Sequence, residues 1–259
     1  MFQLSPQNWI EQLNQLPPEL IWVFLLGCCF VSILLFLRIF GAPGLFVYSA
    51  IVIIAANLQV LKAVQFSIFP YPVALGTVLF SSSFLCTDIL NEYYGPAKAR
   101  KAVWLGFSAY AFMTMVMLLG LAFRPLDSGT VSEDWLWAAE NHEHLSALFT
   151  PTPALLVAGM VAYLCSQFHD VWIYQLIKRL TGERWLWFRN NVSTALSALV
   201  DSVIFSVLAW RVFAAEPLPW SVVLSTYILG TYSLRLAVAL LDTPIIYLAK
   251  FFVPKESKQ

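Results

Sequence analysis

The chain has 259 residues, of which 59% are hydrophobic and only 12% charged, and its formal net charge is zero. Soluble domains carry about 25% charged residues, so this composition excludes an ordinary water-soluble fold. A net charge of zero gives no reason to expect a nucleic-acid partner. The composition is typical of a helical membrane protein that crosses the bilayer several times.

Seven apolar stretches approach or exceed about 20 residues, the length that crosses the hydrocarbon layer as a helix. We predict an all-α fold, a polytopic transmembrane helical bundle with a six-helix core plus an extra N-terminal transmembrane helix. A single integral membrane domain would cover residues 1–259. The predicted spans are about 18–40, 45–66, 73–93, 102–123, 153–176, 192–213 and 220–251. The last exceeds one crossing, and we expect Pro244 to kink it or to end its regular part.

The polar start of the chain, with Glu11 and Glu19, is not typical of a cleaved signal peptide, because it lacks a basic opening. The first apolar run is also as long as a full crossing. We therefore expect this run to remain in the protein as a membrane span.

The segments between the spans differ in charge. Lys and Arg concentrate in 98–101, in 178–189 and near the C-terminus, whereas acidic residues concentrate in 124–150. Short cytoplasmic loops collect Lys and Arg. We therefore expect the basic loops and the C-terminus to be cytoplasmic and the acidic loop to lie outside, which with seven spans places the N-terminus outside.

Five charged side chains fall within or near the predicted spans, namely Asp88, Asp170, Asp201, Arg235 and Asp242. A charged residue near the centre of a membrane helix costs about 2.5–3.5 kcal/mol to insert. Left unpaired, the five would cost on the order of 12–18 kcal/mol. We expect them to pair, to face a water-filled cavity or to lie nearer the membrane interface.

Polar residues recur at helical spacing in several of these spans. Asp88, Asn91 and Glu92 stand at i, i+3 and i+4 and so share one face. Gln167 and Asp170 stand at i and i+3. Other spans contribute Thr194, Ser197 and Asp201, then Arg235 and Asp242, and then the amides Asn57 and Gln59. Because polar stripes that face lipid are not viable, we expect these stripes to converge on a common interior.

Structural roles for the same residues stay open at this point. The stripe 88–92 would also cap a helix end, since a Gly-Pro pair follows it. Residues 167–170 would also serve as hydrogen-bond links between helices. Arg235 and Asp242 would also form a structural ion pair.

No cofactor, metal site or catalytic residue is expected. The four cysteines all lie in apolar stretches, where Cys behaves as a small hydrophobe, and none has metal-ligand spacing. The chain has no H-E-x-x-H or G-x-S-x-G motif. The sequence therefore favours a protein that is not an enzyme.

Five sequence blocks resemble the queuosine precursor transporter family, whose members are also described as vitamin-uptake-like (VUT) membrane proteins. The blocks are ANLQVLK (56–62), SSSFLCTDILNEYYGPAKARKAVWLGF (81–107), YLCSQFHDVWIYQLIKRLTG (163–182), LWFRNNVSTALSALVDSVIF (186–205) and LLDTPIIYLAK (240–250). They follow the family's order and spacing over about 41–250. One departure is Arg235, where many members carry Lys, which keeps the charge but changes the donor geometry.

The resemblance implies a protein of the bacterial inner membrane that takes up 7-deazaguanine bases without an ATP-hydrolysing partner. The bases are chiefly 7-cyano-7-deazaguanine and its aminomethyl relative, which feed the synthesis of queuosine in tRNA. The implied partners are a small-molecule nucleobase and the lipid bilayer, with no nucleic acid. A homodimer is compatible with the sequence.

The polar residues suit a guanine-like edge, which presents two adjacent N–H donors and a carbonyl acceptor. A carboxylate accepts both donors, and an amide or a cation serves the carbonyl. The flat ring would stack on an aromatic side chain such as Phe84, Phe168, Trp172 or Tyr227. The predicted substrate-binding residues are Asn57, Gln59, Phe84, Asp88, Glu92, Gln167, Asp170, Trp172, Asn191, Asp201, Arg235 and Asp242.

Two other functions would use the same features. A substrate-capturing subunit of a larger energised transporter would need a docking surface for partner helices. A membrane-embedded enzyme would use the carboxylates and His169 for acid–base chemistry. For a transporter, His169 beside Asp170 permits a proton-linked step, and facilitated diffusion is equally compatible.

Overall fold

The computed structural model describes residues 6–67, 72–127, 129–150, 153–182, 184–214 and 216–254, which are almost entirely helical. Within these ranges, six helical stretches are long and apolar enough to cross a membrane. They are Pro18–Phe40, Ala42–Gln59, Pro96–Leu121, Leu155–Thr181, Leu186–Val212 and Trp220–Phe252. The protein is therefore a polytopic helical membrane protein, as the composition predicted.

Helices follow one another along the described parts of the chain, which also contain one short hairpin. The helices are α1 (Pro6–Asn14), α2 (Pro18–Phe40), α3 (Ala42–Gln59), α4 (Thr77–Tyr93), α5 (Pro96–Leu121), α6 (Leu136–Phe149), α7 (Pro153–Thr181), α8 (Leu186–Val207), α9 (Trp220–Val222) and α10 (Thr231–Phe252). In the described ranges, strands β1 (Ala63–Val64) and β2 (Val73–Ala74) pair antiparallel between α3 and α4. Two stretches are π-helical, Leu208–Val212 and Val223–Gly230.

The helix ends differ from the predicted spans where local chemistry overrides hydropathy. α3 begins at Ala42, because Gly41 adopts a positive φ of 63° and Pro43 stands in the first turn. α3 also ends at Gln59, before the hairpin, whereas the predicted span ran to residue 66. Pro244 lies inside α10, and the regular helix continues past it to Phe252. The irregular part of this region is the π-helical stretch that precedes α10.

The central helix of the bundle is α4, which contacts α2, α3, α5, α7, α8 and α10. Nearly all of its 17 residues are buried. The helix is shorter and more polar than the six apolar ones, and it carries the serine run 81–83. Because its neighbours shield it from lipid, α4 can carry side chains that hydrocarbon would exclude.

The two faces of α4 are chemically different. On one face, Leu85 belongs to the same buried core cluster as Leu37 of α2, Leu45 of α3 and Val238 of α10, and none of these four side chains is exposed. The other face carries Ser83, Thr87 and Asp88, which hydrogen-bond to residues of α7 and α8. The apolar core and the polar interior therefore lie on opposite sides of one helix.

The bundle has two distinct ends, which we name by what lies there. At the basic end, Gly41 lies against Tyr94 and Pro254, so the α2–α3 turn, the α4–α5 turn and the end of α10 meet. At the hairpin end, residues of the β1–β2 hairpin and of the two π-helical stretches line one cavity. Gly182 and Arg184 also lie at the basic end, where Arg189 donates to their backbone carbonyls.

A close backbone approach between the end of α3 and the start of α4 depends on Gly76. A Cβ atom at this position would lie 2.4 Å from the carbonyl oxygen of Ala56, whereas one at Gly120 of α5 would meet nothing within 4 Å. We predict that Gly76→Ala destabilises the fold by about 1–3 kcal/mol, because the helices must separate. Gly120→Ala is the matched control and should leave the thermal unfolding temperature in detergent unchanged. Equal unfolding temperatures for the two variants would contradict this packing.

Candidate functional site

Three carboxyl groups meet in the interior between α4, α7, α8 and α10. Asp88, Asp170 and Asp242 are at most 1% exposed. Asp88 interacts electrostatically with both of the others. We call these three residues the acid cluster. All three were predicted from sequence as binding residues, and the tertiary structure brings them together from three different helices.

Two hydrogen bonds hold the acid cluster in place. The Thr194 hydroxyl donates to Asp88 Oδ2 at 3.1 Å, and the Asn190 amide nitrogen donates to Asp242 Oδ1 at 2.9 Å. Ser193 and Ser197 lie beside Asp170, but neither reaches hydrogen-bond geometry with it. The α8 stripe 190–197 therefore forms one wall of the cluster.

Several buried acceptor atoms in this region have no partner among the described residues. They are Asp88 Oδ1, both carboxyl oxygens of Asp170, Asp242 Oδ2 and Asn190 Oδ1. Buried polar atoms of native proteins almost always have a hydrogen-bond partner. Such a group of orphaned acceptors indicates a site that is completed by protons on the neighbouring carboxyl groups, by a donor-bearing ligand or by water.

The Gln167 amide lies next to the acid cluster, on the side that faces the hairpin end. Gln167 of α7 donates to the Ser83 hydroxyl at 2.8 Å and accepts from the Thr87 hydroxyl at 2.9 Å. Phe84, on the same stretch of α4, is 2% exposed. Gln167 is therefore fully engaged in joining α7 to α4, which is the structural alternative considered from sequence.

A second polar group, nearer the hairpin end, joins α8 to α10. Arg235 Nη1 lies 2.6 Å from Asp201 Oδ2, and the Ser166 hydroxyl donates to Asp201 Oδ1 at 2.9 Å. Arg235 thus pairs with Asp201 rather than with Asp242, the alternative considered from sequence. Asp242 lies two helical turns further towards the basic end and bonds Asn190 instead.

The Arg235–Asp201 pair lines a cavity that adjoins a second one at the hairpin end. Both cavities are lined by Val60 and Ala74. The outer cavity also contains Trp210 and Tyr227, whose ring centroids are 4.6 Å apart. These two aromatic residues belong to the two π-helical stretches, a backbone form that often occurs at functional sites. The two cavities therefore lead inward from the hairpin end as far as the Arg235–Asp201 pair.

The basic end is closed by an ion cluster around Glu92. Arg189 binds both carboxylate oxygens of Glu92, with Nε at 3.0 Å and Nη2 at 2.5 Å. Lys178 Nζ lies 3.1 Å from Glu92 Oε2, and the Tyr174 hydroxyl donates to the same oxygen at 2.8 Å. The Arg189 side chain is only 1% exposed. These contacts join α4 to α7 and α8, and we call the group of Glu92, Tyr174, Lys178 and Arg189 the plug.

Four further predicted binding residues also lie away from the acid cluster. Trp172 is 61% exposed on the outer surface of the bundle. Asn191 donates to Thr243 and to the Trp187 carbonyl. Asn57 donates to the Ile53 carbonyl one turn earlier in α3. Gln59 lines a separate cavity beside α2.

Sequence reasoning missed two residues that the structure makes central, Arg189 and Asn190. Asn190 stands four residues before Thr194, so it extends the stripe of Thr194, Ser197 and Asp201 by one turn. That spacing could have identified it. Arg189 carried no comparable signal, because a basic residue in a basic loop is expected to be a topology determinant.

Among the described residues, no group of three or more His, Cys, Asp or Glu has an arrangement that could hold a metal ion. The unpartnered oxygens of the acid cluster are hydrogen-bond acceptors, which N–H and O–H groups would satisfy.

Apolar helices that surround a buried column of polar and charged side chains define a class, the polytopic membrane transport proteins. Residues 74–249 match the family model described as "Putative vitamin uptake transporter". The chain belongs to this transporter family. This confirms the family resemblance that the sequence blocks carried.

A curated relative is similar over nearly the whole chain. It is the protein of Bacillus subtilis (strain 168) named "Probable queuosine precursor transporter", which is 37% identical over 239 residues. The match covers 92% of this chain and 96% of the relative. No solved structure matches the chain.

The plug at the basic end yields a stability prediction. Arg189→Met would leave the buried Glu92 carboxylate without its bidentate partner, and breaking a buried ion pair costs about 3–5 kcal/mol. We expect a clearly lower thermal unfolding temperature in detergent. Arg184→Met, at an exposed arginine in the adjoining loop, should change stability by no more than about 0.5 kcal/mol. An unchanged unfolding temperature for Arg189→Met would show that the contacts between Arg189 and Glu92 do not stabilise the fold.

Proposed function

We propose that the protein is an uptake transporter for 7-deazaguanine precursors of queuosine, including 7-cyano- and 7-aminomethyl-7-deazaguanine, and that it catalyses no reaction. The observation that carries the proposal is the acid cluster, with its buried and unpartnered acceptor atoms. The printed name of the Bacillus subtilis relative points to the same class of cargo.

The acid cluster suits the edge of a guanine-like base. One carboxylate accepts the adjacent N1–H and N2–H donors, which geometrically resembles the bidentate binding of a guanidinium. The hydroxyls of Ser193 and Ser197 lie beside Asp170, but they already bond to the Asn190 carbonyl and to His169. Phe84 supplies a buried aromatic ring one helical turn from Asp88. An analogue without the N–H donors would leave carboxylates unpaired and would bind poorly.

The same column of polar groups gives a route for the base. It would enter at the hairpin end past Trp210 and Tyr227, pass the Arg235–Asp201 pair and reach the acid cluster. Release at the basic end requires the contacts between Glu92 and Arg189 to separate. This two-sided arrangement supports alternating access, in which one side of a central site is closed while the other is open.

Uptake is tested in cells that cannot make deazaguanines themselves. Expression of this gene, with a low dose of the base in the medium, should restore queuosine in tRNA, measured by mass spectrometry of nucleosides. Asp88→Asn should lower the uptake rate at least about tenfold, since hydrogen bonds to charged groups contribute about 1.5–3 kcal/mol. Asp134→Asn, at an exposed acid, is the matched control and should restore queuosine fully.

Absence of rescue by wild-type protein that is confirmed in the membrane would refute the proposed function. Uptake by the purified protein alone in liposomes separates a self-sufficient transporter from a substrate-capturing subunit, which would need a co-purifying ATPase. Chemical conversion of the base by the purified protein would instead support an enzyme.

We also propose that the protein lies in the bacterial inner membrane with the hairpin end outside and the basic end in the cytoplasm. The basic end carries 98–101 and 178–189, which hold most of the loop Lys and Arg, and such loops remain cytoplasmic. A fluorescent protein fused after residue 259 should fluoresce, because it folds in the cytoplasm. The same fusion before residue 1 should be dark if exported, and a bright N-terminal fusion would contradict this orientation.

A further inference from the structure

The unpartnered atoms of the acid cluster and of Asn190 are all hydrogen-bond acceptors. They comprise four carboxyl oxygens and the Asn190 amide oxygen, and each lies on a side chain that is at most 1% exposed. Among the described residues, the buried side-chain nitrogens without a hydrogen-bond partner belong to Trp210 and to Arg235, which is ion-paired with Asp201, and both lie towards the hairpin end. The site therefore has a surplus of acceptors and lacks free donors of its own.

The cluster also lacks a cation. In the described part of the chain, Lys178 and Arg189 pair with Glu92, and Arg235 pairs with Asp201. No ion pair among those residues reaches Asp88, Asp170 or Asp242. An uncompensated carboxylate in a low-dielectric interior is strongly unfavourable. Three neighbouring ones therefore call for neutralisation, by protons or by positive charge that a ligand brings.

Asn190 is an independent indication that a donor-bearing ligand completes this site. Its amide nitrogen is anchored on Asp242 Oδ1 at 2.9 Å. That bond fixes the side chain and leaves the amide oxygen, which is buried and unpartnered, beside the cluster. A neutral amide has no charge to balance, so its orphaned oxygen reflects a missing hydrogen-bond donor rather than a missing counter-ion.

The two precursor bases differ in the groups that such a site would recognise. Both present the N–H donors of the guanine edge and the pyrrole N–H. The cyano substituent adds only an acceptor nitrogen, which the cluster cannot satisfy. The aminomethyl substituent adds a primary amine, which at neutral pH is an ammonium with three donors and a positive charge.

We propose that the acid cluster, together with Asn190, is a site for a protonated amine, so that the protein prefers the aminomethyl base to the cyano base. This inference rests on the proposed function. One carboxylate binds the N1–H and N2–H edge, and the ammonium takes the remaining carboxyl oxygens and the Asn190 oxygen. The ligand thereby supplies the counter-charge that the described chain does not.

Equilibrium binding tests the preference on the purified full-length protein in detergent at pH 7. The probes are 7-aminomethyl-7-deazaguanine, 7-cyano-7-deazaguanine and unsubstituted 7-deazaguanine. We expect the aminomethyl base to bind about tenfold or more tightly than the unsubstituted one, because a charged hydrogen bond adds that much. The cyano base should bind no more tightly than the unsubstituted one. A cyano base that binds as tightly as the aminomethyl base would overturn the proposal.

Substitutions in the acid cluster test which residues bind the ammonium group. Asp170→Asn and Asp242→Asn keep the side-chain size and remove one charge each. We expect at least one of them to lower the aminomethyl affinity about tenfold while it changes the cyano affinity by less than about threefold. Asp134→Asn, at the exposed site, should preserve both affinities. If both interior variants fold and weaken the two bases by equal factors, the ammonium does not bind there.

The affinities of the three bases are ranked on the wild-type protein, so this measurement tests the proposal even if the interior variants fail to fold. Gel filtration and thermal unfolding identify such variants. If none of the three bases binds, the proposed function itself fails. If both substituted bases bind equally and uptake stops when the proton gradient is collapsed, a proton neutralises the cluster and the charge preference is wrong while the transport function stands.

Discussion

The structure depends on the shielding of one polar helix from lipid. α4 brings a serine run, Asp88, Asn91 and Glu92 into a bundle whose outer helices are strongly apolar. Hydrocarbon would penalise these groups heavily, and six surrounding helices remove them from it. The apolar face of α4 packs in the core, and its polar face borders the interior in which the buried polar residues of α7, α8 and α10 lie.

The polar groups of that interior fall into two kinds. Some satisfy one another: Glu92 with Arg189, and Asp201 with Arg235, form ion pairs that join helices. The carboxyl groups of the acid cluster do not satisfy one another, because four of their oxygens have no hydrogen-bond partner among the described residues. The ion pairs explain how the bundle tolerates buried charge. The unsatisfied carboxyl groups have no such role in stabilising the fold. The acid cluster therefore holds the candidate binding groups, and the two ion pairs are the contacts that a conformational change would break and re-form.

Much of the site could be predicted from the chain itself. The helical spacing of polar residues and the cost of burying them single out Asp88, Asp170 and Asp242 without reference to the tertiary structure. Spacing failed for Trp172, since an aromatic residue within a largely apolar block gives no sign of which face it occupies, and it lies on the outer surface. Asn190 borders the acid cluster, as the α8 periodicity favours, whereas its predicted neighbour Asn191 bonds to Thr243.

The sequence by itself determined the class, the helical membrane fold and the charge asymmetry of the loops, because hydropathy, length and charge are local properties of the chain. Only the tertiary structure decided which charges pair. Arg235 has acids available on several helices, and its pairing with Asp201 follows from the depth at which α8 and α10 bring the two side chains together. The buried state of Arg189 was likewise decided by where α8 begins beside the end of α4, a relation between helices that no single stretch of sequence contains.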